Sequence, residues 1–135
     1  MQRLQSRSQF QAVLAGLTLS RTPHFALHSL ALDEQPEGGA RQPLFAVQDV
    51  WMGAMVPKRW AKRAVTRNAI KRQIYALSQD FEHELKSAAH VVRLRAGFDK
   101  TRFVSATSCA LKAAVRAELQ QLFTRATTNP PQGTT

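Results

Sequence analysis

Val56–Arg72 reads VPKRWAKRAVTRNAIKR. Seven of the fifteen residues from Lys58 to Arg72 are Lys or Arg, and no acid lies between Asp49 and Asp80. The run is ordered as well as charged. Ile70, Ile74, Leu77 and Phe81 recur at i, i+4, i+7 and i+11, the stripe of a helix over about 64–81. Arg67, Asn68, Lys71 and Arg72 point on average about 120° away from that stripe. Burying the stripe therefore turns the cations to solvent. A disordered basic tail needs no apolar stripe, so this segment reads as a folded helix offering cations to a polyanion.

Upstream of it, Leu44–Val56 is apolar and partly β-branched, interrupted at Asp49 and Gly53, and stops at Pro57. It reads as one bent strand or two short ones. Before that, Asp33–Pro43 holds two prolines, a Gly-Gly pair and three of the nine acids, which makes a loop. His24–Leu32 (HFALHSLAL) alternates as a strand, with Phe25, Leu27 and Ser29 on one side and His24, Ala26 and His28 on the other. Strand, Gly-rich loop, strand suggests an antiparallel pair. At the N-terminal end, Ser6 and Gln9 have capping-box spacing. Phe10, Val13, Leu14 and Leu17 follow at i, i+3, i+4 and i+7, one face of a helix over 6–17 that Gly16 ends.

Downstream of the basic helix, Ala89–Ala96 (AHVVRLRA) is a short strand before a turn at Gly97. A last helix over about 104–125 places Leu111, Val115, Leu119 and Leu122 at helical spacing. The polar end, TTNPPQGTT, reads as a disordered tail over 126–135, leaving one domain over 1–125. The result is a mixed α+β single domain with helices packed on a small sheet.

Composition narrows the partner. The chain has 135 residues, enough for one modest core, and 19 Lys+Arg against 9 Asp+Glu give +10. Such an excess repels itself unless a polyanion screens it, and nucleic acid leads over an anionic membrane surface. The start, MQRLQSRSQF, has no apolar run and so does not read as a signal peptide, and no stretch nears the roughly 18 apolar residues that span a bilayer. Cys109 is alone, so no internal disulfide forms; it is most simply a small buried hydrophobe in a reducing cytoplasm.

The catalytic constellations fail. His24 and His28 on a strand would stand about 13 Å apart, too far to share a metal ion. His83 and Glu84 begin an HExxH pattern that Ser87 breaks. Gly38 and Gly39 lack phosphate-loop spacing and read as a turn. The basic helix remains: Lys58, Arg59, Lys62, Arg63, Arg67, Lys71 and Arg72 can reach phosphates, and Asn68 can bond a phosphate, a 2′-OH or a base edge. A solvated helix face is the plainer alternative, but such faces interleave both signs, and here the acids are missing. Phe10 is a core residue by default and, at a groove edge, a platform for an unpaired base.

These residues resemble a family. VPKRWAKRAVTRNAIKR is similar to the signature of the protein subunit of bacterial ribonuclease P: a strand ending Val-x-Lys-Lys/Arg, a basic turn, then Arg-Asn-Arg-x-Lys-Arg on a helix. Arg3-Leu4, SQFQAVL, HFALH and VVRLRA agree in order, so the likeness covers roughly residues 3–125. It implies an α-β-β-β-α-β-α fold with a left-handed βαβ crossover, against the usual hand. It also implies a role beside a catalytic RNA that removes the 5′ leader of precursor tRNA with Mg²⁺, the protein supplying no catalytic group.

By resemblance, Arg67, Asn68, Lys71 and Arg72 face that RNA, with Lys58 and Arg59 beginning the face. Phe10 lines a leader-binding cleft between the first helix and the sheet, joined by His24 and His28. Two positions depart from the pattern: Ala69 stands where Arg is usual, and Leu14 where a second cleft aromatic is often found. A stand-alone structural RNA-binding protein of the ribosomal type is the alternative. A protein nuclease needs a carboxylate cluster that the sequence does not offer.

Overall fold

The computed structural model describes residues 2–32, 37–38, 42–43, 49–85, 87–97 and 109–128. The elements in chain order are β1 (Gln2–Arg3), α1 (Arg7–Leu14), β2 (Leu17–Arg21), β3 (Phe25–Ala31), β4 (Glu37–Gly38), β5 (Gln42–Pro43), β6 (Trp51–Met55), α2 (Ala64–Asp80), β7 (Ala88–Leu94) and α3 (Cys109–Thr128). One five-stranded sheet has the order β1-β6-β7-β3-β2, and β4 with β5 forms a separate two-stranded pair. Setting aside β1 and that small pair, the order is the α-β-β-β-α-β-α that the resemblance implies.

The sheet separates two cores. On one side Phe25, Leu27, Met52, Ala54, Val92 and Leu94 pack against Ile70, Ile74 and Leu77 of α2 and Leu111, Val115, Leu119 and Leu122 of α3. On the other, Trp51, Ala89 and Val91 pack against Val13 of α1 and Leu4, with Phe10 and Leu14 half-buried above them. Fully burying an Ile or Leu stabilises by about 1.5–3 kcal/mol, so the three α2 residues alone hold that helix down firmly. Phe81, at the end of the stripe, stacks on Phe123 with ring centroids 5.4 Å apart.

Four expectations change. The antiparallel pair expected between 24–32 and 44–56 does not form: β7 lies between them, antiparallel to β3 and parallel to β6. β7 is apolar on both faces, with Ala89 and Val91 in one core and Val92 and Leu94 in the other, and only a central position buries both. Second, α1 stops at Leu14. Ser6 and Gln9 do form the capping box, but Leu17 opens β2 and is 61% exposed. Gly16 explains the exit, because a Cβ there would clash with the Ser29 carbonyl oxygen, so the chain passes β3 too closely for a side chain. Third, β2 itself is not legible in the sequence, since LTLSR is short and mostly exposed. Fourth, α3 runs to Thr128, three residues past the expected end of the domain. The rest of the tail, the helix start over 104–108, the strand start over 44–48, most of the 33–43 loop and the Cys109 side chain lie outside the described residues.

Candidate nucleic-acid interface

The basic segment begins as a turn and continues as α2. After β6 the Pro57 carbonyl accepts from the N–H groups of Trp60 and Ala61, at 3.1 and 3.2 Å. Ala61 is buried and fixes the turn to the core. Arg63 is the N-cap of α2 and gives no side-chain capping bond, so the turn is held another way. Arg67 reaches back from α2, its Nη1 donating to the carbonyls of Ala61 and Lys62 at 3.0 and 2.9 Å. Gly97 closes in from the other side, where a Cβ would lie 3.1 Å from the Trp60 carbonyl.

Arg67 therefore differs from its neighbours. The sequence groups it with Asn68, Lys71 and Arg72, but it spends one guanidinium nitrogen on shaping the turn. Asn68, Lys71 and Arg72 line a shallow concavity of about 460 Å³, joined by Arg3 from β1 and by Tyr75 and Gln79. Lys58, Arg59, Lys62 and Arg63 lie exposed on the preceding turn, outside that concavity. Among the described residues none of these eight cations is paired with a carboxylate; the ion pairs are His24–Glu118 and Arg116–Asp80.

Arg3 and Tyr75 are contributions that periodicity does not show. The Arg3 guanidinium lies 4.0 Å above the Tyr75 ring centroid. The Tyr75 hydroxyl accepts from the Ala54 N–H at 3.2 Å, on the edge of β6 beyond the two-residue β1. β1 is held to β6 by Gln2 N–H donating to the Val50 carbonyl at 2.8 Å and by Gln2 Nε2 donating to Asp49 Oδ2 at 3.2 Å. The Val50 N–H, then Gln2, hold the Asp49 carboxyl below the usual aspartate range. The sequence signals for Arg3 are its charge near the start of the chain and its place in the Arg-Leu pair that fits the family resemblance. Its joining α2 depends on β1 pairing in parallel with β6, across nearly fifty residues.

Ala69 is not on this face. It lines the seam between α2 and α3 with Ile70, Gln73, Leu111, Lys112 and Val115. The missing third Arg therefore removes no cation from the concavity.

The opposite side of the sheet holds the expected cleft residues. Phe10 lies over β6 at Gly53, where a Cβ would meet its ring carbons at 2.7 and 2.9 Å. Leu14 is half-buried on the same core. His28 faces this side with Arg93 and Thr18. Arg93 Nε donates to His28 Nε2 at 3.2 Å, which requires Nε2 to be unprotonated. The proton then sits on Nδ1 and is donated to Thr18 Oγ1 at 3.3 Å. Burial, then the Arg93 and Arg21 charges, push the His28 pKa below 6.5, so the imidazole is neutral at pH 7.

His24 does not join it, which corrects the grouping of His24 with His28. His24 Nδ1 pairs with Glu118 Oε1 of α3 at 2.8 Å, on the far side of the sheet. Glu118 Oε2 also accepts from the Thr22 hydroxyl and the His24 N–H, at 2.5 and 2.6 Å. His24 lies just outside β3, in the turn from β2, and strand alternation does not extend to it. The carboxylate uses it to fix that turn to α3.

The chain is similar to known proteins in sequence and in fold. A model of the Ribonuclease P family matches residues 1–127. The ribonuclease P protein component of Ralstonia pickettii is 34% identical over 135 residues, covering 98% of this chain and 86% of its own. That of Bordetella petrii is 35% identical over 123 residues, covering 91% and 89%. A solved structure of the Staphylococcus aureus RNase P protein superposes with a TM-score of 0.66, over 93% of this chain and 95% of that one; at 16% identity it speaks for the fold alone. Signature, sheet order and relatives matched over nearly their whole length lead to one assignment: the chain belongs to the ribonuclease P protein component family.

Proposed function

We propose that this chain is the protein subunit of ribonuclease P, that it binds the catalytic RNA, and that it assists removal of the 5′ leader from precursor tRNA. The observation that carries the reading is the basic surface of the Pro57 turn and α2, with no carboxylate partner among the described residues, in a member of this family. Arg3, Asn68, Lys71 and Arg72 form one concave surface for a phosphate backbone, and Lys58, Arg59, Lys62 and Arg63 extend it. Arg67 keeps the turn in shape between them.

The α1 side of the sheet serves the leader. Phe10 offers a half-buried ring at the cleft edge, Leu14 an apolar wall, and His28 with Arg93 a polar floor that carries the charge of Arg93 alone at neutral pH. This chain donates no acid, base or nucleophile in the reaction. Mg²⁺ held by the RNA and substrate phosphates would supply Lewis-acid assistance. The site of action is the cytoplasm, where tRNA matures. No described helix is long and apolar enough to cross a membrane.

The test is precursor-tRNA cleavage at low Mg²⁺ with a bacterial ribonuclease P RNA, with and without the protein. Cleavage at the mature 5′ end only when both are present is the expected result. Tight RNA binding without rescue would reassign the chain to structural RNA binding. Cleavage without the RNA would make it a nuclease in its own right.

A further inference from the structure

The described residues expose three large apolar side chains, Leu17, Trp60 and Val65, and two of them lie in the most basic part of the molecule. Trp60 is 39% exposed. An indole left in water forgoes burial, and this one sits in a turn that is otherwise tightly specified. The Trp60 backbone N–H donates to the Pro57 carbonyl, Arg67 holds the next two carbonyls, and Gly97 packs on the Trp60 backbone. A rigid backbone that presents a wet aromatic is preorganised for a ligand, because little ordering remains to be done on binding.

The chemistry around Trp60 selects the ligand. Arg59 stacks its guanidinium 5.5 Å from the indole centroid, and Lys58, Lys62 and Arg63 surround the ring in sequence, all exposed. An aromatic face beside cations is what an unpaired nucleotide needs: a surface for its base and positive charge for its phosphate. A paired base in an A-form helix keeps its face inside the stack and offers this site only a backbone.

We propose that Trp60 is a stacking platform for an unpaired base of the RNA that the basic segment binds, with Arg59 clamping beside it. The inference rests on the RNA-binding reading above. It adds a base contact at a position that a charge-only interface leaves unused.

The experiment measures the affinity of the full chain for a bacterial ribonuclease P RNA across a salt series. It compares wild type with Trp60→Phe, Trp60→Leu and the pair Lys62→Ala/Arg63→Ala, with thermal melts on each. Phe keeps an aromatic face, whereas Leu keeps only apolar bulk. Trp60→Phe should bind within about threefold of wild type and Trp60→Leu about tenfold more weakly, with the salt slope unchanged. The Lys62/Arg63 pair should lower the slope, by about 0.7–0.9 for each phosphate no longer neutralised. Trp60→Leu binding as tightly as wild type, while the cation pair binds more weakly, would overturn the platform and leave RNA binding standing. Wild-type binding by the cation pair and by Trp60→Leu alike would remove both.

Discussion

The outer face of α2 and the α1 side of the sheet present surfaces by opposite means. On α2 a continuous buried stripe fixes the helix, and the cations follow automatically on the turns left over. Their placement is local: i, i+1, i+4 and i+5 share a face whatever the rest of the chain does. On the α1 side nothing is local. Phe10 comes from a two-turn helix, Gly53 from β6, His28 from β3, Arg93 from β7 and Thr18 from β2, and their meeting depends on strand register. A long-range electrostatic surface tolerates loose placement, because phosphate attraction decays over several ångströms. A cleft for a base or sugar needs side chains placed to within about an ångström, which a packed sheet supplies.

Gly53→Ala should break the contrast hardest. Its Cβ would displace the Phe10 ring, and overpacking costs about 1–3 kcal/mol. Chemical denaturation should show that loss. If Phe10 lines the leader cleft, affinity for precursor tRNA should fall while that for mature tRNA holds. Equal losses for both would return Phe10 to a purely packing role.

Arg67 and Lys71 sharpen the other half. Both belong to one basic face by sequence, but only Arg67 bonds the turn. Arg67→Ala should lower stability by about 1 kcal/mol, for two partly exposed hydrogen bonds, and weaken RNA binding. Lys71→Ala should leave the melting temperature unchanged and reduce the salt slope by about 0.7–0.9. Identical melting behaviour in the two variants would remove the structural role given to Arg67.

The smallest effect is a pH dependence on the α1 side. His28 is held neutral in the fold, whereas the unfolded chain protonates it near 6.5. Below that pH the unfolded state binds the extra proton, so this contribution to stability is full above 6.5 and falls as pH drops towards the folded pKa. Thermal melts from pH 7.5 to 5.5 should show a decline that His28→Gln flattens. A slope unchanged by the substitution would place the titration on another group.

Much of this fold is legible in the chain itself. The three helices, the β3 and β7 strands and the buried stripes of α2 and α3 follow from periodicity, because each element must bury one face. Ser6 and Gln9 mark the start of α1 through its capping box. Sequence reasoning fails where neighbours along the chain are not neighbours in space. Consecutive order pairs the 24–32 and 44–56 strands, whereas burial of both faces puts β7 between them. Strand alternation groups His24 with His28, whereas Glu118, 94 positions away, claims it for α3.

The sequence by itself determined a basic, amphipathic helix within a small α+β domain, and a signature specific enough to indicate its family. Those are properties of charge and of a 3.6-residue period, both carried within a few turns of chain. The tertiary structure alone decided that Arg3 joins Asn68, Lys71 and Arg72, that Arg67 shapes the turn, that Ala69 faces α3, and that His28 meets Arg93. Each depends on strand order and register, which are set by the summed burial of two cores and not by any segment of the chain.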